Sequence, residues 1–207
     1  MNRPKLVLSV PYNENVYSAF ERPFDFIEIR LDYKKEKELN INDLEKFDAI
    51  KNKVIVTIRD KNEGGIFEIS DQTKLKFLNK SYDLGYKYDV EVDFARKYNI
   101  LTEDMIVSTH YLNSLPSFNE IMEKIKNFKK AFTIKIAVKS EPGYKLLLMK
   151  ILELIKDSTV IPLGTPWQER LAFSLLGSKL FYSYLLVRTG EGQPQFDQAY
   201  SILNKIF

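Results

Sequence analysis

The sequence predicts an α/β fold of the (β/α)8, or TIM-barrel, class, compact and held in a single domain over residues 1–207. Three observations lead there. Eight short runs of β-branched and aromatic residues alternate in strict order with segments of helical apolar spacing, the pattern of successive parallel β/α units. The length, 207 residues, lies at the bottom of the barrel range and implies short loops. Charged residues recur on one face of five successive strands, which an inward-facing barrel wall accommodates.

The elements follow in order. A strand at 5–10 precedes a short helix at 14–20. Residues 24–31 alternate Ile27, Ile29 and Leu31 with Glu28 and Arg30, the period of a strand, and a helix is expected at 41–50. Residues 53–59 alternate Val54, Val56 and Ile58 with Thr57 and Arg59, and helical spacing returns at 71–84. A fourth strand at 88–92 leads to a brief helix at 94–98. The fifth strand, 105–110, ends in His110. The helix at 117–129 is opened by Ser117 with Glu120 three residues on, a capping box. Strands at 132–138, 159–163 and 181–186 alternate with helices at 143–156, 166–178 and 196–206.

Composition narrows the function classes. Hydrophobic residues make up 44% and charged residues 29% of the chain, enough for a globular core. The net charge of +3 is small and dispersed, and lysine-rich stretches such as Lys34-Lys35-Glu36-Lys37 are interrupted by acids, so a nucleic-acid partner is not expected. The chain has no cysteine and one histidine, which excludes disulfides and thiolate chemistry and argues against a zinc site. No signal-peptide core and no apolar stretch of membrane-spanning length is present, so the expectation is a cytoplasmic protein with no membrane partner. Gly64-Gly65 and Gly190-Glu191-Gly192 do not match a dinucleotide fingerprint.

Chemistry concentrates in the strands. Lys135 stands alone at the centre of the apolar run 131–138. Burying an unpaired ammonium is expensive and favours the neutral amine, the form that attacks a carbonyl to make a Schiff base. His110 is the natural proton carrier beside it. Residues two apart share a strand face, which groups Glu28, Arg30 and Asp32, then Thr57 and Arg59, then Asp89, Glu91 and Asp93, then Ser108 and His110, then Thr133 and Lys135. Arg59 and His110 fall at C-terminal strand ends, where barrel active sites lie. Only seven arginines occur, and Arg30, Arg59 and Arg170 are near strands. Guanidinium groups hold carboxylates bidentately and donate to hydroxyls, so three of them about a lysine suggest a small polyhydroxylated acid as substrate.

Together these residues resemble the type I 3-dehydroquinate dehydratase family, the Schiff-base enzymes of the third step of the shikimate pathway to chorismate and aromatic amino acids. Glu28-Ile29-Arg30-Leu31-Asp32 resembles its E-x-R-x-D strand, and Thr57-Ile58-Arg59 with Glu63-Gly64-Gly65 its T-x-R…E-G-G segment. Ser108-Thr109-His110 and Lys135-Ile136-Ala137 match the histidine and lysine strands, Arg170 the carboxylate-binding arginine, and Thr189 to Gln193 the Ser/Thr…G-Q loop. The resemblance implies that Lys135 forms the imine with 3-dehydroquinate, that His110 is general base and acid, and that Glu63 orients His110. It further implies that Glu28, Arg30 and Arg59 hold ring hydroxyls, that Arg170, Thr189 and Gln193 hold the carboxylate, and that Ser9 lines the pocket floor. No metal or organic cofactor is implied, and a homodimer is, with Leu171, Phe173, Leu175 and Leu176 open to either core or interface. The barrel is expected to lack the extra N-terminal hairpin of larger members, with residues 1–5 or a side chain covering that end. Other readings are another class I Schiff-base barrel such as a sugar aldolase, and a catalytically dead barrel that binds a polyol acid.

Overall fold

Strand alternation sorts the side chains of this chain into two sets, and a closed sheet gives each set its own side. The computed structural model describes residues 2–207, the side chains of Glu14 and Asn15 excepted. Its eight strands are β1 (Lys5–Pro11), β2 (Phe26–Arg30), β3 (Val54–Thr57), β4 (Lys87–Glu91), β5 (Ile106–Tyr111), β6 (Thr133–Lys139), β7 (Ser158–Leu163) and β8 (Leu180–Tyr184). All pair in parallel in the order β7-β6-β5-β4-β3-β2-β1-β8, the (β/α)8 barrel expected from the alternating pattern. Leu8, Ile27, Val56, Val90, Val107 and Ile136 point outward into the core under the helices. Val7, Ile55, Ile106 and Leu180 point inward and fill the barrel's N-terminal half, while Ala137 and Ile161 point inward nearer its C-terminal end.

The last seam of the barrel is joined differently from the other seven. Between β7 and β8 the Lys179 N–H donates to the Ser158 carbonyl at 2.9 Å. The Ser178 hydroxyl takes the Val160 N–H at 3.0 Å, and the Thr159 hydroxyl takes the Leu180 N–H at 3.3 Å. Two side-chain hydroxyls thus stand in for a full backbone ladder. At the N-terminal mouth Phe26 and Phe132 meet edge to face, 5.6 Å between ring centres, against the inward cluster. Side chains therefore cover that end, while Met1 lies outside the described residues.

Among the described residues six α-helices form: α1 (Asp71–Asp83), α2 (Val92–Tyr98), α3 (Phe118–Ile125), α4 (Tyr144–Leu154), α5 (Trp167–Leu175) and α6 (Phe196–Ile206). The capping box of Ser117 and Glu120 opens α3, which ends several residues short of the expected 117–129. The crossovers after β1 and β2 are 3-10 segments, Glu14–Ala19 and Ile41–Lys53, rather than the expected helices. The second has a physical reason in its sequence: Ile41, Leu44, Phe47 and Ile50 recur every third residue, the repeat of a 3-10 helix and not of an α-helix. Asp93, expected on the inward face of the fourth strand, instead sits in the first turn of α2, where an acid favours the helix N-terminus, and pairs with Lys124 at 2.8 Å.

Candidate active site

Above the apolar filling, the inward positions of β2 to β6 carry Glu28, Arg30, Thr57, Asp89, Glu91, Ser108, His110 and Lys135, and the loops that follow the strands close over them. Glu28, Arg30, His110 and Lys135 of this set open onto a cavity of about 440 Å³ at the C-terminal end of the barrel. Glu28, Arg30, Arg59, Glu63, His110, Lys135, Arg170, Thr189 and Gln193 all line it.

Glu63 reaches the cavity because of the short loop after β3. Asp60 caps the 3-10 turn Lys61–Glu63 by accepting the Asn62 N–H at 2.8 Å, and Gly64 follows at φ 92°, a left-handed conformation suited to glycine. Gly65 then packs so closely that a Cβ there would lie 2.1 Å from the Arg59 carbonyl oxygen. The two glycines fold the loop back, and Glu63 meets the end of β5. One carboxylate oxygen, Oε2, lies 2.8 Å from His110 Nδ1 and accepts the His110 backbone N–H at 2.9 Å. Burial pushes the Glu63 carboxyl up to about 7. Burial also holds the His110 imidazole well below its usual range, helped by the Arg59 and Lys135 cations. A neutral ring donating Nδ1–H to ionised Glu63 keeps its Nε2 lone pair as a base.

Lys135 is buried, 4% exposed, yet it is not the unpaired ammonium the sequence suggested. The Asp89 carboxylate contacts its Nζ, Glu28 Oε1 stands 3.9 Å away, and the Tyr182 ring centre lies 4.7 Å off. Strand β4, two strands away across β5, supplies the charge that the isolated run 131–138 lacked. Burial pushes the Asp89 carboxyl up, but Arg59 and Lys135 overcome it and hold the group far below the usual carboxylate range. Arg59 is itself gripped: Nη2 pairs with Asp89 at 2.8 Å, and Nη1 donates to Glu91 at 2.8 Å and to the Ser108 hydroxyl at 2.7 Å. Lys74 of α1 reaches in from outside the barrel to contact Glu91.

The opposite wall is as ordered. Arg30 is bidentate to Asp32, both contacts at 2.8 Å, and donates to the Thr189 carbonyl at 3.0 Å. Glu28 accepts the Thr57 hydroxyl at 2.9 Å and the Ser9 hydroxyl. Ser9 does not line the cavity; it is buried behind Glu28, where it also accepts the Thr189 hydroxyl at 2.6 Å. Gln193 Oε1 gathers the Thr189 and Gly190 N–H groups, each at 3.0 Å, into a tight loop. Arg170 donates from Nη2 to the Glu191 carbonyl, while its buried Nε has no hydrogen-bond partner. Burial lowers it to about 10, leaving a cation at neutral pH. Arg30 and Arg59 have carboxylate partners, whereas Arg170 makes no ion pair among the described residues. A carboxylate-bearing ligand would complete it.

Asp89, Glu91, Tyr182 and Glu191 belong to this arrangement although the sequence assigned them no role. Strand alternation did signal Asp89 and Glu91, and a tyrosine inside an apolar strand run gave no signal. Trp167 and Arg188 line a second basin of about 620 Å³ that shares Gly64, Thr189, Glu191 and Gln193 with the first and opens outward. Among the described residues no group of three His, Asp or Glu side chains is placed to hold a metal ion, and no helix is long and apolar enough to cross a membrane.

Comparison with known proteins adds to this geometry. The sequence pattern of the type I 3-dehydroquinase family matches residues 11–207. A 3-dehydroquinate dehydratase of Saccharolobus solfataricus is 44% identical over 215 residues, covering 99% of this chain and 95% of its own. One of Sulfolobus acidocaldarius is 39% identical, with 98% and 94% covered. Among solved structures, the 3-dehydroquinate dehydratase of Aquifex aeolicus aligns with a TM-score of 0.75 at 22% identity, covering 98% of each chain. The type I enzyme of Clostridium difficile, solved with covalently modified comenic acid, aligns at 0.74 and 23%, covering 100% of this chain and 93% of its own. These two structural likenesses show the shared fold.

Proposed function

From the premise that this chain belongs to the type I 3-dehydroquinase family, we propose that it is a hydro-lyase converting 3-dehydroquinate to 3-dehydroshikimate, the dehydration step of the shikimate pathway, through an imine on Lys135. The observation that carries the reading is the meeting of Lys135, His110 and the unpaired Arg170 on one cavity.

The Lys135 amine condenses with the C3 ketone, and the iminium draws electrons from C2, acidifying its hydrogen. His110 Nε2 takes that proton and passes it to the departing C1 hydroxyl on the same face, a syn elimination that expels water. Hydrolysis of the imine then frees the product. Glu63 orients His110 through Nδ1. Arg170 takes the substrate carboxylate with Gln193 and Thr189 at its side, and Glu28, Arg30 and Arg59 hold the ring hydroxyls. Ser9 acts from behind, fixing Glu28 and Thr189. These residues supply the acid, the base and the electron sink from side chains alone.

Incubation with 3-dehydroquinate and borohydride, intact mass and peptide mapping test the proposal. The expected result is one reduced adduct on Lys135, formed also by His110→Ala, which no longer turns over. An adduct elsewhere, or turnover by His110→Ala, overturns the assignment.

The proposal extends to a homodimer in the cytoplasm. Of the apolar residues about α5, Phe173 is core and Leu176 is 58% exposed, while Leu146 and Met149 of α4 also face solvent and offer an interface. Sedimentation velocity reads the oligomeric state directly.

A further inference from the structure

The nitrogen of Lys135 is the protein atom that bonds to substrate carbon in the reaction proposed above, and β4 sets a carboxylate against it. Asp89 is fully buried and fixed from three directions. One of its oxygens contacts Lys135 Nζ; the other pairs with Arg59 at 2.8 Å and accepts the Ser108 hydroxyl at 2.6 Å. Glu28 stands further off, and its oxygens accept the Ser9 and Thr57 hydroxyls. On the β8 side the nitrogen meets the face of the Tyr182 ring, and His110, Glu63, Arg30 and Arg59 line the same cavity.

We propose that Asp89 is the fixed counter-ion of the Lys135 nitrogen throughout the cycle, pairing with the ammonium at rest and with the iminium once substrate is attached. The proposal rests on the imine reading above. Its logic is charge conservation. When an ammonium R–NH3+ condenses with a ketone, the C=O double bond is replaced by C=N. The oxygen leaves as water with two of the ammonium protons, and one proton and the positive charge remain on nitrogen. A carboxylate placed for the ammonium therefore serves the iminium with no proton of its own in transit. Because both side chains are buried, such a preset charge acts strongly and needs no reorganisation during the reaction. The Tyr182 ring adds the negative face of its π-system to the same cation. Without Asp89, the guanidinium of Arg59 would face a second buried cation with no anion between them. The neutral imine, a far weaker electron sink for C2, would then be favoured.

Cyanoborohydride reduces the protonated imine, so the yield of adduct on Lys135 across a pH series reports how firmly the iminium keeps its proton. With 3-dehydroquinate, the Asp89→Asn protein should lose trapping at a pH about one unit or more below the wild type, a tenfold or greater weakening of proton affinity. Asp89→Glu, which keeps the charge, should retain the wild-type profile even if turnover slows. A role confined to packing would alter yield or KM and leave the pH midpoint in place. An unchanged midpoint in folded Asp89→Asn overturns the proposal, whereas a wild type that forms no adduct overturns the imine reading instead. If Asp89→Asn does not fold, 15N NMR of the lysine-labelled wild type, saturated with substrate and product at neutral pH, decides the question. A protonated imine signal is expected, and an unprotonated one refutes the counter-ion.

Discussion

Glu63 and His110 share a 2.8 Å hydrogen bond and compete for one proton, and burial decides which of them receives it. As pH falls through about 7 the carboxyl, not the ring, is protonated, because burial raises the first and depresses the second. A protonated Glu63 donates to Nδ1, which moves the ring hydrogen to Nε2 and removes the lone pair needed at C2. We therefore expect kcat to fall about tenfold per pH unit below about 7, and Glu63→Gln to flatten that limb at a low plateau. A pH profile of both proteins checks this. The sign for stability is opposite. A folded-state value raised above the unfolded one means that Glu63 contributes stability fully at pH below the ordinary carboxyl range, and that this is lost as pH rises through about 7. On the proposed mechanism, turnover therefore uses Glu63 in its less stable, ionised form. At this scale the sequence disclosed charged residues that gather about one cavity, through charges misplaced in apolar strands. It did not disclose that Lys135 is paired, because Asp89 lies on another strand and only three-dimensional register brings the two together.

The loop after β3 is held by backbone contacts, so its function is sensitive to a single methyl group. Gly65→Ala places a Cβ against the Arg59 carbonyl, and relief requires the loop that carries Glu63 to shift. A shift of about 1 Å in a catalytic group costs roughly a hundredfold in rate. We expect that loss in kcat, with a smaller change in melting temperature, since the loop lies outside the barrel core. Steady-state kinetics and a thermal scan separate the two effects. Strands and most helices were legible from alternation and capping. The segment Ile41–Lys53 was misread because four apolar residues at a spacing of three fit a helix loosely when only polarity is counted. Loop geometry was not legible, because the turn at Gly64 and the close approach at Gly65 depend on the backbone path around them.

For the molecule as a whole, the order of β/α units specified a barrel, since each unit buries one apolar face under helices and leaves the other to line the interior. What the order could not show is where the barrel is weakest. The β7–β8 seam rests partly on the hydroxyls of Ser178 and Thr159, and Arg170 stands on one side of it while Thr189 and Gln193 stand on the other. On the proposed reading, a substrate carboxylate gripped from both sides would span that seam as a tie rod spans a split ring, and the ligand would become a mechanical member of the hoop. Amide exchange in β7 and β8 should then slow selectively when an unreactive carboxylate analogue binds, with β3 and β4 little changed. On this geometry, occupancy of the site is felt as the tightness of the barrel.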